Sequence, residues 1–244
     1  MIEFSNVTKV YAKGAKAALD HLNLKVEDGC VYGFLGPNGA GKTTAIRLLT
    51  GVLPATDGDV RVGGINVAED PVAVKRMIGF VPDSQDMYER LTGVEYLNFM
   101  ADIYGVSETD RKERAEKYLS LFDLTDAAGA RIQSYSRGMK QKIAIIGALI
   151  HNPPVWVLDE PMVGLDPKSA HQLKEEMKAR AEAGATVFFS THVLEVAERL
   201  CDKVGIIHHG KLLMEGEPDA LRANRSESLE ELFLELTEGE AEQA

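Results

Sequence analysis

A short glycine-rich stretch carries the residue types that bind phosphate. It fits the pattern G-x-x-x-x-G-K-[ST] at every fixed position and consists of Gly36, Pro37, Asn38, Gly39, Ala40, Gly41, Lys42, Thr43 and Thr44. Glycine lets the backbone curl until successive N–H groups point inward, and the helix that follows adds the positive end of its dipole. Lys42 adds a charge that can reach the β- and γ-phosphates of a nucleotide, and Thr43 offers a hydroxyl to Mg²⁺. The stretch therefore predicts a phosphate-binding loop.

Two carboxylates follow an apolar run later in the chain, and their position suggests hydrolysis. Asp159 and Glu160 come directly after residues 155–158, which are all apolar and predict a buried strand. Open α/β sheets place ligands at the carboxyl ends of their strands. There Asp159 would hold Mg²⁺ through its water shell, and Glu160 would orient and polarise the attacking water. An acidic pair at a strand end can also be an ordinary solvated turn. Because this pair follows a phosphate loop in the same chain, we favour the roles in Mg²⁺ binding and water activation.

Two further features are weaker by themselves. Ser136 and Gly138 stand at the start of a predicted helix, where a hydroxyl, a glycine backbone and a helix N-terminus form a second anion-binding feature. An ordinary serine cap would have the same sequence. His192 follows a predicted strand at residues 186–190 and could hydrogen-bond a γ-phosphate, although a single histidine at a strand end is often incidental.

The elements that must position these residues alternate between strands and helices. A strand at residues 30–35 precedes the loop, a helix at residues 44–49 follows it, and the alternation returns after residue 152. Between residues 84 and 151 strand periodicity disappears and helical signals replace it. The pattern predicts an α/β fold with a mainly parallel sheet, a small antiparallel β part and an inserted all-helical subdomain.

Composition limits the classes of function. The 244 residues, 45% of them hydrophobic, suffice for one core with an inserted subdomain. The net charge of -11 disfavours a nucleic-acid surface. Cys30 and Cys201 suggest neither a disulfide framework nor a thiol metal site, so a reducing cytoplasm is expected. No signal-peptide pattern and no run approaching ~18 apolar residues is present. We therefore expect that a separate chain would have to hold this protein at a membrane.

Taken together, these segments resemble the nucleotide-binding domain of ATP-binding cassette (ABC) transporters, in a bacterial exporter-like form, over nearly the whole chain. Besides the phosphate loop, four segments are similar to the Walker B strand, the D-loop, the switch histidine and the signature of that family: Leu158-Asp159-Glu160-Pro161, Gly164-Leu165-Asp166-Pro167, Thr191-His192 and Tyr135-Ser136-Arg137-Gly138-Met139-Lys140-Gln141. Tyr11 matches the aromatic residue that stacks on adenine, and a surface tyrosine at a strand end is the alternative.

The resemblance implies an ATPase with a P-loop NTPase (RecA-like) core. Lys42, Glu160 and His192 would be catalytic, and Thr43 and Asp159 would hold Mg²⁺. ATP would contact the phosphate loop together with Tyr11, Asp83, Ser136 and Gly138. Residues 1–225 would form the ATPase domain, with a core of residues 1–83 and 152–225 around a helical insertion of residues 84–151. Residues 226–244 would form a C-terminal helix and an acidic tail.

The sequence departs from the family pattern at two places. In the signature, Arg137 and Met139 replace glycine and glutamine, whereas Ser136 and Gly138 are kept. Asp83 stands where the family has the glutamine of its Q-loop, and Gln85 is a possible substitute. An aspartate brings a negative charge toward the triphosphate, so we expect Asp83 to make the site more dependent on Mg²⁺.

The resemblance also implies partners. ATP would join two such domains, either identical or a copy and a sister chain, and an integral membrane subunit would convert their closing into transport at the inner face of the cell membrane. The expected docking surface for that subunit comprises Met87, Tyr88, Leu91, Tyr96 and Phe99, which could instead form the core of the insertion. The C-terminal sequence is similar to the tails of exporter-type cassettes. A soluble ABC-type ATPase that remodels a ribosome or DNA complex is the alternative, and a P-loop kinase fits less well.

Overall fold

The computed structural model describes residues 1–83 and 87–223. The strands are β1 (Ile2–Lys9), β2 (Leu19–Val26), β3 (Val31–Leu35), β4 (Asp57–Val62), β5 (Ile65–Asn66), β6 (Ile78–Val81), β7 (Val155–Asp159), β8 (Thr186–Thr191), β9 (Lys203–His208) and β10 (Lys211–Gly216). The helices are α1 (Lys42–Leu49), α2 (Pro71–Met77), α3 (Gly93–Ile103), α4 (Glu108–Leu121), α5 (Arg137–Leu149), α6 (Pro167–Glu182), α7 (Leu194–Leu200) and α8 (Pro218–Ala223).

A six-stranded sheet forms the centre of the fold, in the order β10-β9-β3-β8-β7-β6. All neighbours in it are parallel except β10, which runs antiparallel to β9. The three central strands β3, β8 and β7 are buried along their whole length, which explains their nearly continuous apolar sequences. The mainly parallel sheet predicted from the sequence is confirmed.

A smaller sheet is antiparallel and has the order β2-β1-β4-β5. Apolar side chains from alternate positions of its strands share one hydrophobic cluster with α1 and with one face of the large sheet, including Phe34 and Phe188. Helix α1, which follows the phosphate loop, is therefore packed between the two sheets. This packing fixes the loop relative to the carboxyl end of β3.

All regular elements between β6 and β7 are helical in the described part of the chain. Helix α3 begins with a complete capping box, in which Thr92 and Glu95 each accept a backbone N–H of the other. Side chains of α3, α4 and α5 pack with α6 and with Trp156 and Leu158 on the other face of the large sheet. The inserted helices thus share a continuous core with the sheet, and the exact division into subdomains remains a prediction.

Several details differ from the sequence-based expectations or lie beyond them. Strand β10 and the short helix α8 have no counterpart among the predicted elements. Helix α5 begins at Arg137, one residue after Ser136, and ends before His151. The expected helix at residues 226–236 and the possible substitute Gln85 lie outside the described residues. Within the described ranges, every helix is too short or too polar to cross a bilayer.

Candidate active site

The phosphate loop connects β3 to α1, and two of its glycines are required by close contacts. A Cβ atom at Gly36 would lie 2.4 Å from the carbonyl oxygen of Ile207. At Gly41 φ is +116°, and a Cβ atom there would lie 2.6 Å from the carbonyl oxygen of Ala18. A larger residue at either position would push the loop away from the strands and turns around it. The pattern of glycines seen in the sequence therefore has a steric cause in the fold.

Lys42 lies inside this loop with only 6% of its surface exposed. Its Nζ donates to the carbonyl oxygens of Gly36 at 2.6 Å and Pro37 at 3.3 Å. The same Nζ lies 3.4 Å from Oε1 of Glu160, which forms an ion pair with it. The ammonium group is thus held at the mouth of the loop by two carbonyls and one carboxylate.

Glu160 follows β7 in a backbone conformation that is unusual for a residue with a Cβ atom, with φ at +48°. This turn directs its carboxylate toward two other strands of the sheet. Oε1 lies near Lys42, after β3, and Oε2 lies 3.0 Å from Nδ1 of His192, after β8. The structure therefore brings together Lys42, Glu160 and His192, which are far apart in sequence.

Asp159 is the last residue of β7, and its side chain is almost completely buried. Burial raises the pKa of this carboxyl above its usual value, and the negative charges of Asp83 and Glu160 add to that effect. Hydrogen bonds from the hydroxyls of Ser190 and Thr43 act in the opposite direction. Asp159 thus lies beside Thr43, as expected, and within electrostatic range of Asp83.

The sequence reasoning missed Ser190 in this group. Its Oγ lies 2.6 Å from Oδ1 of Asp159, to which it donates, and accepts the backbone N–H of Glu160 at 3.0 Å. The signal that could have found it is a serine that directly follows the apolar residues Val187-Phe188-Phe189 and directly precedes Thr191-His192.

The side chains of Thr43 and Asp159 suit Mg²⁺, which needs only one or two protein ligands, better than a metal ion that is coordinated by protein groups alone. Both side chains offer oxygen atoms, which are the ligands that Mg²⁺ prefers. Within residues 1–83 and 87–223, no three His, Cys, Asp or Glu side chains form a metal-binding cluster. Mg²⁺ typically takes one or two protein ligands and completes its shell with water and substrate phosphates. The residues present are therefore compatible with a magnesium nucleotide.

Tyr11 lies after β1 and stands next to the helix that begins in the loop. Its hydroxyl lies 3.1 Å from Oγ1 of Thr44, while 56% of the residue is exposed. The exposed ring thus lies beside the helix that follows the loop, and its contact with a base stays a prediction. The Nζ of Lys9 lies 5.5 Å from the ring centre and adds a positive charge on that side.

The signature segment leads into α5 and packs against Gly164, four residues after Glu160. Oγ of Ser136 accepts the backbone N–H of Met139 at 3.2 Å and so caps α5. Gly138 packs against residue 164, because a Cβ atom there would lie 2.8 Å from the carbonyl oxygen of Gly164. Arg137 also lies against Gly164. Ser136 is exposed, so the N-terminus of α5 is open to a ligand from outside this chain.

Comparison with known proteins identifies the family. A family model described as "ABC transporter" matches residues 19–163. The linearmycin resistance ATP-binding protein LnrL of Bacillus subtilis is 37% identical over 216 residues, which cover 88% of this chain and 69% of that protein. The bacitracin transport ATP-binding protein BcrA of Bacillus licheniformis is 38% identical over 231 residues, which cover 94% of this chain and 74% of that protein.

Solved structures agree with this similarity. The structure of an ATP-binding subunit of an ABC transporter matches with a TM-score of 0.91 and 34% identity, over 97% of this chain and 99% of that chain. A dimeric ATP-binding cassette in a post-hydrolysis state, bound to ADP and Pi, matches with a TM-score of 0.80 and 28% identity, over 89% of this chain and 98% of that chain. Sequence, fold and active-site geometry agree in this way over most of the chain, which therefore belongs to the ABC transporter family as an ATP-binding and ATP-hydrolysing subunit.

Proposed function

We propose that Lys42, Glu160 and His192 form the hydrolytic half-site of this subunit, with Glu160 as the general base. One observation carries this assignment. Oε1 of Glu160 is buried and accepts no hydrogen bond from the described residues, although it lies 3.4 Å from Nζ of Lys42. A buried carboxylate oxygen with a free lone pair, next to the lysine of a phosphate loop, is suited to accept a proton from an attacking water.

The residues of the half-site would change partners when ATP binds. Nζ of Lys42 exchanges the carbonyls of Gly36 and Pro37 for oxygens of the β- and γ-phosphates. Glu160 then orients the water through Oε1, while Nδ1 of His192 holds Oε2. Thr43 and Asp159 hold Mg²⁺, which supplies positive charge to the phosphate oxygens when it is bound.

A second cassette would complete the site. Ser136 and Gly138 stand at the exposed start of α5, a helix of 13 residues whose N-terminus favours an anion. The proposed ligand is the γ-phosphate held by the partner, which is either the same chain or a sister chain. The dimeric cassette with bound ADP and Pi supports this arrangement by analogy.

A membrane-spanning partner at the inner face of the cell membrane would use the dimer's closing for transport. Of the five expected docking residues, Tyr96 is buried and Met87 and Leu91 pack partly against the core, which agrees with the alternative that these three residues belong to the core of the insertion. Tyr88 and Phe99 are exposed and form an edge-to-face pair with ring centres 5.0 Å apart. We propose that this aromatic pair, with the exposed Ile103 one turn after Phe99 on α3, contacts the membrane subunit.

We also propose that the transporter exports its substrate. One relative is named for resistance to linearmycin and another for transport of bacitracin, and outward transport would account for resistance. The names of these relatives and the acidic net charge both argue against action on a ribosome or on DNA.

The role of Glu160 is tested by Glu160→Gln in the purified subunit. The variant should bind ATP as the wild type does. Its rate of hydrolysis should be lower by at least about 100-fold, because an amide cannot accept the proton. It should also accumulate an ATP-bound dimer on gel filtration. Glu27→Gln is the matched control, since Glu27 is an exposed carboxylate that also pairs with a lysine, Lys25 at 3.0 Å. A wild-type rate in Glu160→Gln would exclude Glu160 as the base.

The docking surface is tested by Phe99→Asp in the assembled transporter. Loss of co-purification with the membrane subunit, at an unchanged ATPase rate of the isolated subunit, is the expected result. Val72→Asp is the control, because Val72 is an exposed valine on α2, outside the aromatic patch. Equal recovery of the membrane subunit with both variants would contradict the proposed surface.

A further inference from the structure

A fully buried serine lies between the carboxylate of Asp159 and the backbone of Glu160. Ser190 is on β8, the strand between β3 and β7, and its register partner on β7 is Asp159. Its relative exposure is 0%. The parallel pairing of these strands therefore places one hydroxyl beside both residues at the end of β7.

The hydroxyl of Ser190 both donates and accepts a hydrogen bond. A serine hydroxyl has one hydrogen to donate and lone pairs to accept with. Ser190 donates to Oδ1 of Asp159 at 2.6 Å and accepts the backbone N–H of Glu160 at 3.0 Å. One oxygen atom thus fixes the side chain of Asp159 relative to the backbone of Glu160. The short distance to Asp159 is typical of a hydrogen bond to a carboxylate.

The bond to Glu160 stabilises an unfavourable backbone conformation. Glu160 has φ at +48°, a region that residues with a Cβ atom rarely adopt. This conformation directs its carboxylate toward Nζ of Lys42 at 3.4 Å and Nδ1 of His192 at 3.0 Å. If the backbone of Glu160 relaxed to negative φ, its carboxylate would leave these two groups.

We propose that Ser190 is a positioning residue for ATP hydrolysis, which holds Glu160 in the strained turn that aims its carboxylate at the reacting water. The inference rests on the proposed role of Glu160 as the base. Ser190 itself touches neither ATP nor water in this account. Its effect should therefore appear in the rate of hydrolysis and not in the affinity for ATP.

The test compares Ser190→Ala with the wild-type subunit. The variant should lower kcat by about 10- to 100-fold, which is the effect of a displacement of about 1 Å at a catalytic group. Both KM and the ATP affinity, measured by fluorescent nucleotide titration without turnover, should change less than about twofold. Slower hydrolysis should also lengthen the lifetime of the ATP-bound dimer, which gel filtration would measure. Ser190→Cys fills the same space with a weaker hydrogen-bonding group and should behave in the same way if the alanine variant folds poorly.

Thr186→Val is the matched control, because Thr186 is on the same strand. It is equally buried, and its hydroxyl also donates to a carboxylate, Asp28 at 3.0 Å, but at the opposite end of β8. This variant should keep the wild-type kcat. A loss of the same size in Thr186→Val would mean that Ser190 acts through general stability, which would overturn the proposal.

A second comparison separates this inference from the function on which it depends. In a Glu160→Gln background, Ser190→Ala should change the residual rate less than about twofold, because the base through which it acts is already absent. If Glu160→Gln loses hydrolysis while Ser190→Ala and Ser190→Cys keep it, the role of Ser190 is wrong and that of Glu160 stands. If Glu160→Gln keeps the wild-type rate, the proposed base is wrong. An equal fall in kcat and in ATP affinity in Ser190→Ala would also overturn the positioning role.

Discussion

The ion pair between Lys42 and Glu160 can be tested by removing its positive end. In the structure, Nζ of Lys42 lies among the carbonyls of Gly36 and Pro37 and the carboxylate of Glu160. Lys42→Met keeps most of the side-chain volume and removes the charge. The variant should therefore lose stability before any nucleotide is added, in addition to losing affinity for ATP.

The size of the loss follows from burial. Removing one partner of a buried ion pair costs about 3–5 kcal/mol, because the remaining charge is left unpaired in a poorly solvated place. Here the side chain of Glu160 is 14% exposed, and its other oxygen is 3.0 Å from His192. We therefore expect about 2 kcal/mol for Lys42→Met, below the range for a fully buried pair. At about 2–4 °C per kcal/mol for a chain of this size, Tm should fall by about 4–8 °C.

The assay is thermal unfolding of the nucleotide-free subunit, followed by circular dichroism, in a double-mutant cycle. The cycle comprises the wild type, Lys42→Met, Glu160→Gln and the double variant. The double variant should recover most of the stability lost in Lys42→Met, since glutamine leaves no unpaired charge. Lys25→Met is the control, because Lys25 forms an exposed ion pair with Glu27, and it should leave Tm unchanged.

Two results would refute the reasoning. One is a Lys42→Met variant as stable as the wild type, which would mean that the pair contributes nothing to the nucleotide-free state. The other is strict additivity in the cycle, which would mean that the two side chains do not interact. Fluorescent nucleotide titration of the same four proteins adds an independent check, because Glu160→Gln frees Lys42 and should keep or raise the affinity for ATP.

Three further changes test other parts of the molecule. Asp83→Gln should lower the Mg²⁺ concentration needed for half-maximal hydrolysis by about fivefold, because it removes roughly 1 kcal/mol of repulsion between the Asp83 carboxylate and the triphosphate. Identical Mg²⁺ titrations of the variant and the wild type would contradict this. Gly36→Ala should lower the free energy of unfolding in urea by about 1–3 kcal/mol and weaken ATP binding, since its Cβ would lie 2.4 Å from the carbonyl oxygen of Ile207; a wild-type denaturation curve would argue against this contact. Tyr118→Phe removes a hydroxyl that donates to the buried Glu176 at 3.0 Å and should cost about 1.5–3 kcal/mol in the same assay at an unchanged ATPase rate, whereas unchanged stability would show that the bond is not needed.

Much of the fold could be predicted because buried parallel strands have short apolar sequences that end at turn residues. The predicted strand at residues 155–158 and the strand end at Val81 agree with the structure to within a residue. Strand β10 was missed for a physical reason. It is an edge strand, most of its residues are only partly buried, and among the described strands it forms a ladder with β9 alone. Its sequence therefore lacks the apolar run or the clear alternation of a central strand.

The expected docking surface shows a second limit of prediction from the sequence. Aromatic and apolar residues at helical spacing are equally typical of a core and of an exposed contact surface. Only the packing of α3 against α5 and the sheet separates the buried Tyr96 from the exposed Phe99, since both lie on the same helix three residues apart.

The sequence by itself determined the phosphate loop, the carboxylates that follow β7 and the alternation of strands and helices. Each of these features depends on residues that are close together in the sequence. Only the tertiary structure decided that Lys42, Glu160 and His192 meet and that Ser190 joins Asp159 to the backbone of Glu160. These contacts depend on the order β3-β8-β7 and on the parallel register of the strands. That strand order follows from how helices pack on both faces of the sheet, and it cannot be predicted from any local sequence pattern.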